Sequence, residues 1–332
     1  MLAADGATLR VFNSNMEQTT FSTVGGLITS MERAGTSLFV ASFEPCGVYK
    51  VNVGIIREFD ISKGITEPVA VLCMPGTTYS HKLQITRLRL GTVAGQAVLA
   101  SACASGAVKL WTKAAAGSPG AAATAAGAGA GWACQTLEGH ARAVRDLAWA
   151  EQNLFTVADD GLILGWTPAS QLTPVVALSQ EQHGHGEKVA ACVCVAGHLI
   201  TGGQNGSLRA WGLSSLGPGA KPVLAFDAAA GKHLPELQTL GIVAPPTAGG
   251  AVFLAAGYAN GQLLLKSLQN FEDVAGVGRG RNGSGGHFKP ILDIKMLQMV
   301  GDGGAALVNT DTILTCGMDG LFIAWVYDPN LL

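Results

Sequence analysis

Three observations in the sequence predict an all-β fold of repeated small sheets, a β-propeller. A short strand that ends in an aromatic residue, preceded by a Gly-containing turn, recurs along the 332 residues. The recurrences are spaced at about one four-stranded blade plus loop insertions. Helical periodicity is sustained nowhere, whereas short apolar or β-branched runs bounded by Gly or Asp are frequent.

Four units end in tryptophan: Ser105–Trp111 (SGAVKLW), Asp160–Trp166 (DGLILGW), Asn205–Trp211 (NGSLRAW) and Asp319–Trp325 (DGLFIAW). A fifth, Asn260–Lys266 (NGQLLLK), carries Lys in the aromatic position. Phe59 and Phe12 end two more. Positions 12, 59, 111, 166, 211, 266 and 325 lie 47, 52, 55, 45, 55 and 59 residues apart. Before these turns, Leu154–Ala158, Leu199–Gly203 and Ile313–Gly317 read as strands, as does the alternating run Leu83–Leu90.

The ends raise the question of blade number. Ala7–Phe12 reads as the third strand of a blade and Thr19–Val24 as its fourth, with the first two absent. Leu321–Tyr327 is again a third strand, followed only by Asp328–Leu332. The expectation is a single propeller over residues 1–332, an N-terminally incomplete piece of a seven-bladed parent with a cut first blade. In the six-bladed alternative, Thr19–Val24 supplies the outer strand of the last blade. Residues 113–131 are an Ala/Gly-rich insertion between a third and a fourth strand, too poor in bulky apolar residues to order itself. Residues 276–286 (GVGRGRNGSGG) form a second flexible loop.

Composition narrows the function classes. Charged residues are 13% and apolar ones 48%, the charge deficit coming largely from Ala and Gly. No Leu/Ile/Val-rich span of about 20 residues is present, and the N-terminus lacks the charged-then-apolar pattern of a secretory signal. No membrane association is expected, and an intracellular site, cytoplasmic or nuclear, is the default. A net charge of −2 gives no electrostatic footprint for nucleic acid. The seven cysteines form neither a CxxC pair nor a Cys/His cluster of zinc spacing. They read as buried thiols, and no cofactor or metal ligand is assigned.

These units resemble the WD40-repeat β-propeller. In that family a His from a Gly-His pair, a Ser/Thr, an Asp and a Trp form a hydrogen-bonded relay within one blade. The resemblance implies relays at His140, Thr156, Asp160 and Trp166, and at His287, Thr315, Asp319 and Trp325. It implies another at His185, Thr201, Asn205 and Trp211, with Asn replacing Asp, and a looser version at His81, Ser101, Ser105 and Trp111. Such a relay satisfies buried polar groups, each of which costs about 1–3 kcal/mol when left unpaired. The structural reading therefore displaces a catalytic triad, and no GxSxG elbow accompanies these residues. No catalytic residue is assigned, and an enzyme is not expected.

A finer resemblance is to the propeller of plant proteins that join a CCCH zinc finger to WD40 repeats. It rests on Gly25–Met31, Ser37–Ala41 and Ser267–Phe271. No CCCH cluster exists in this chain, so RNA binding transfers to no residue; Arg279 and Arg281 in the second loop are the remaining RNA candidates. The leading expectation is a scaffold that docks a protein or peptide. By analogy with the family, residues just before the turn Asp or just after the Gly-His share one face. They are Arg142, Asp159, Lys188, Gln204 and Met318. Association with RNA through a zinc finger missing from this chain is the alternative.

Overall fold

In the computed structural model the described residues are 2–12, 18–46, 51–73, 80–113, 131–169, 172–186, 188–217, 219–227, 235–244, 252–277, 286–297 and 312–326. Among them the strands form seven antiparallel sheets, each a meander in which neighbours in sequence are neighbours in space. The first sheet comprises Leu2–Asp5, Thr8–Phe12 and Gln18–Thr23. The second comprises Leu27–Ala34, Ser37–Cys46, Val51–Asp60 and Ala70–Cys73. Ile85–Val93, Gln96–Cys103, Val108–Lys113 and Trp132–Leu137 build the third. The fourth runs Val144–Ala150, Asn153–Ala158, Ile163–Trp166 and Val176–Leu178.

Val189–Val195, His198–Gly203, Leu208–Gly212 and Leu224–Phe226 form the fifth sheet. The sixth holds Leu237–Val243, Phe253–Tyr258, Leu263–Ser267 and Asp273–Val277. The seventh has Ile291–Leu297, Thr312–Gly317 and Phe322–Val326. Two compact units divide the chain, Met1–Ala177 and Leu178–Leu332, with the boundary inside the strand Val176–Leu178.

Two sequence expectations about the ends change. Leu2–Asp5 is a strand that reverses at Gly6 (φ 57°) and pairs with Thr8–Phe12 from Leu2↔Val11 to Asp5↔Thr8. The first sheet therefore has three strands among the described residues, one more than the sequence marked. Four residues, two of them alanine, carry too little β-propensity to mark a strand on their own. Gln18–Thr23 bonds to Thr8–Phe12 within this first sheet, so there are seven sheets and the six-bladed closure is set aside. Trp132–Leu137 follows Val108–Lys113 as the fourth strand of its sheet. The insertion between them and the 276–286 loop fall mainly outside the described residues.

Within each unit the core lies between adjacent sheets. Val98, Ala100, Val108, Leu110 and Leu137 of the third sheet bury against Val144, Leu147, Leu154, Leu164 and Trp166 of the fourth. In the second unit Ile200, Leu208 and Ala210 meet Leu237, Leu240 and Leu254, and Leu263 and Leu265 meet Ile291 and Ile294. Two of the turn glycines sit where a side chain has no room. At Gly106 (φ 92°) a Cβ would stand 2.4 Å from His140 O, and at Gly261 (φ 85°) 2.2 Å from His287 O. Both turns thus pack under the chain that enters the next sheet.

A second repeat is invisible in the sequence. The first strand of each sheet from the second to the seventh slips register by one residue at the same place. The extra residues are Thr29, Thr86, Arg145, Ala190, Gln238 and Leu292. A bulge of this kind re-aims one side chain without ending the ladder, and none of the six is buried.

Candidate interaction face and the relays beneath it

The relays fix the turns that present the outer residues. In the fourth sheet Trp166 Nε1 donates to Thr156 Oγ1 at 3.0 Å, and Thr156 Oγ1 lies 2.7 Å from His140 Nε2. His140 Nδ1 faces both oxygens of Asp160, at 3.2 and 3.1 Å. The carboxylate also accepts from the backbone N–H of Ala141 and Leu162. The seventh sheet repeats the set. Trp325 reaches Thr315 at 2.8 Å, Thr315 reaches His287 Nε2 at 2.8 Å, and His287 Nδ1 meets Asp319 at 3.0 and 3.1 Å. Asp319 takes the N–H of Phe288 and Leu321.

With a carboxylate on Nδ1 and the Thr hydroxyl on Nε2, both ring nitrogens have a partner, so every polar atom is used. Burial pushes the Asp160 carboxyl up, but the hydrogen bonds from His140 and the Leu162 and Ala141 N–H groups outweigh it and hold Asp160 below its ordinary range. Asp319 is held low in the same way, burial being offset by the Phe288 N–H, His287 and the Leu321 N–H.

The other two relays depart from the expected pattern. In the fifth sheet Trp211 donates to Thr201 at 3.0 Å and Thr201 lies 2.7 Å from His185 Nε2. His185 Nδ1 contacts Ser207 Oγ at 2.8 Å, not Asn205. Asn205 Oδ1 accepts from the Ser207 hydroxyl and N–H at 2.6 and 3.0 Å. Ser207 therefore interposes, meeting His185 Nδ1 while its own hydroxyl donates to Asn205. Burial, with the charges of His183 and Arg209, holds His185 well below the ordinary imidazole range.

In the third sheet Trp111 and His81 share Ser101 Oγ at 2.9 and 2.7 Å. Ser105, in the Asp position, points to Cys103 Sγ at 3.2 Å instead. His81 Nδ1 is buried without a hydrogen-bond partner. Burial and the nearby Lys109 charge push the His81 imidazole down to about 3.

Where the relay is missing, charges take its place. Lys266, in the Trp position, is buried with its Nζ 2.6 Å from Asp273 Oδ1, 3.2 Å from Phe271 O and 4.1 Å from the centre of the Phe226 ring. In the second sheet Arg57 is paired with Glu44, NH2 to Oε2 at 2.9 Å, with Ser42 bonded to both. Burial pushes the Glu44 carboxyl up, and Arg57 and Ser42 more than reverse that shift. Sequence reading found neither cluster, because the partners carry no repeat signature.

Above the relays lie the candidate interaction residues. The residue before each turn donates its N–H to the chain entering the same sheet: Asp159 to Ala143 O at 2.9 Å, Gln204 to Lys188 O at 3.1 Å and Met318 to Pro290 O at 2.9 Å. Ala104 and Ala259 occupy the same place. By this register Lys188 corresponds to Ala143 and Pro290, one position beyond Arg142.

The side chains differ. Arg142 is exposed, Lys188 and Gln204 are partly buried, and Met318 is 60% exposed. Asp159 is not a free carboxylate: Arg145, the bulged residue of its sheet, clasps it with bonds of 2.7 and 2.5 Å. The chain segments that meet at Met318 expose three large apolar side chains, Phe288, Leu292 and Leu321, together with Lys289. Arg145, Phe288 and Leu292 escaped sequence reading; the bulge places Arg145 and Leu292, and Phe288 directly follows His287. Arg279 and Arg281 lie outside the described residues.

Among the described residues no group of three His, Cys, Asp or Glu could hold a metal. Burial raises the thiols of Cys73 and Cys194 to about 12 and that of Cys134 to about 11, so they are protonated and poor nucleophiles at neutral pH. No helix among the described residues is long and apolar enough to cross a membrane.

No protein-family profile matches the chain, and no curated protein does. Solved structures do. The WD40 β-propeller domain of Doa1 aligns with TM-score 0.66 at 13% identity, over 98% of this chain and 88% of that one. The RRP9 WD40 repeats align with TM-score 0.62 at 19% identity, over 91% and 77%. A chain of the mitotic checkpoint complex aligns with TM-score 0.65 at 17% identity, over 98% and 84%. The fold is thus that of the seven-bladed WD40 β-propellers. The finer likeness to plant zinc finger–WD40 proteins gains no support. Its stretches lie in the first two strands of the second sheet and the turn after Leu263–Ser267, elements common to these blades.

Proposed function

We propose that the chain is a non-enzymatic, intracellular scaffold, a single propeller that docks a protein or peptide on the turn ends of its sheets. The carrying observation is the division of labour within each turn. His140, Asp160, His287 and Asp319 spend their polar atoms on one another and on backbone N–H groups. That leaves them a structural task and leaves no unbonded acid–base pair for chemistry. The positions just outside them hold a clasped Arg145–Asp159 pair, Arg142, Lys188, Gln204 and the apolar set around Met318. A rigid frame with unlike outer residues suits selection of one partner among many. The aligned structures include a member of a mitotic checkpoint complex, a protein that works within an assembly. RNA association has no described residue behind it.

The test is site-specific photo-crosslinking from positions 142 and 318, with a third probe at buried Leu254 as control. The reading expects the same partner from one or both outer sites and none from the control. Recovery of nothing specific from either outer site overturns it.

A further inference from the structure

The outer edge of the seventh sheet differs from the edges of the other sheets of its unit. Leu208–Gly212 and Leu263–Ser267 each carry a fourth strand, whereas Phe322–Val326 has none among the described residues. Its edge is also unguarded. Natural edge strands carry charges, proline or bulges against pairing, and Leu321–Val326 (LFIAWV) has none of these. Phe322 is 39% exposed, while the residues two after the turn glycine elsewhere, Val108, Ile163, Leu208 and Leu263, are exposed by at most 3%. Trp325 is partly buried where Trp111, Trp166 and Trp211 are fully so.

The neighbouring sheets specify what fits. In the fifth sheet the fourth strand pairs antiparallel, Leu208↔Phe226, Arg209↔Ala225 and Ala210↔Leu224. The position five after the turn Asp or Asn bonds outward: Gly165 O accepts from Val175 N at 2.8 Å and Ala210 O from Val223 N at 2.7 Å. Ala324 is the same position in the seventh sheet, so its N–H and C=O face the outer edge, where no described strand pairs. The fourth strands Val176–Leu178 and Leu224–Phe226 read apolar–Ala–apolar, with the central Ala exposed. Asp227, following the latter, pairs with Arg209 at 2.8 Å. At the corresponding end of the seventh sheet stands exposed Lys289, beside Phe288.

We infer that Phe322–Val326 is a strand-addition site for a partner's extended segment of the pattern apolar–any–apolar–acidic, added antiparallel. The two apolar residues lie opposite Phe322 and Ala324, and the acidic residue lies toward Lys289. Main-chain bonds supply affinity and the alternate side chains supply selectivity. This goes beyond docking on the turn ends, and its failure leaves that reading standing, since the crosslinking sites are different.

The experiment uses the full chain and a synthetic peptide of its own fifth-sheet sequence KPVLAFD, with backbone hydrogen exchange as the readout. The peptide should slow exchange saturably within residues 322–326. Ala324→Pro removes the outward N–H without touching the inner ladder and should weaken binding at least about tenfold. Phe322→Lys, which keeps the backbone but adds an edge charge, should do likewise, as should replacing the peptide's aspartate with lysine. Equal binding by all three variants overturns the proposal. So does protection of the outward Ala324 N–H in the chain alone, or by self-association, because the edge is then already occupied.

Discussion

Thr156 Oγ1 accepts the indole N–H of Trp166 at 3.0 Å while lying 2.7 Å from His140 Nε2, so one hydroxyl serves two buried rings. Thr156→Val keeps the shape and β-propensity of the strand but strands both partners. The expected loss is about 2–4 kcal/mol of folding stability, read from the urea midpoint at constant m-value. Thr156→Ser should restore most of it. A valine variant as stable as the parent would show that the hydroxyl contributes nothing.

His81 is the relay histidine whose Nδ1 has no partner, because Ser105 turns to Cys103. Ser105→Asp should place a carboxylate where Asp160 and Asp319 stand in their sheets. It should stabilise the fold by about 1 kcal/mol and raise the His81 pKa, measured by imidazole NMR titration. An unchanged titration would show that the turn does not deliver the carboxylate to the ring.

The pH dependence follows from two signs. His81 titrates near 3 when folded and at 6.5 in the unfolded reference, so the unfolded chain binds more protons between those values. Stability is therefore lost progressively as pH falls below 6.5. Asp160 and Asp319 have depressed folded values, so their contribution is present above the ordinary aspartate value of 3.8 and is lost as pH falls below it. His81→Gln, which can keep a bond to Ser101, should reduce the slope of the upper limb of the acid-denaturation curve, to which His185 also contributes, and leave the lower one. Unchanged slopes in both limbs would count against this assignment.

Lys266 is a buried cation held by a carboxylate that is itself half exposed. Removing only the partner leaves the ammonium uncompensated, so Asp273→Asn should cost about 1–3 kcal/mol. Lys266→Met removes the charge along with its need for a partner and should be near neutral. Thermal unfolding of the two single variants and the double variant separates these cases. Asp273→Asn should become harmless once Lys266 is Met.

What was legible in the sequence was the part encoded locally. The turn Gly and the terminal Trp recur at fixed spacing, because Gly161 and Gly206 adopt positive φ and Trp166 and Trp211 fill equivalent buried sites. That sufficed for the blades and for the His140 and His287 relays. What escaped was set by chain distant in sequence or by register. Ser207 replaced Asn205 at His185, Glu44 found Arg57 across two strands, and Leu2–Asp5 became a strand by pairing. Arg145 joined the outer face through a one-residue slip that no composition marks.

That slip has a consequence for how such a surface can be rewritten. Thr29, Thr86, Arg145, Ala190, Gln238 and Leu292 occupy one equivalent site in six sheets, outside the paired ladder and outside the buried core. Hydroxyl, cation, methyl, amide and branched alkyl already coexist there on one backbone. Ala190, Gln238 and Leu292 are thus letters that drift or library design can exchange on an unchanged ladder, whereas Thr29, Thr86 and Arg145 each carry a bond, to Ala41 O, Val144 O and Asp159, that an exchange would break.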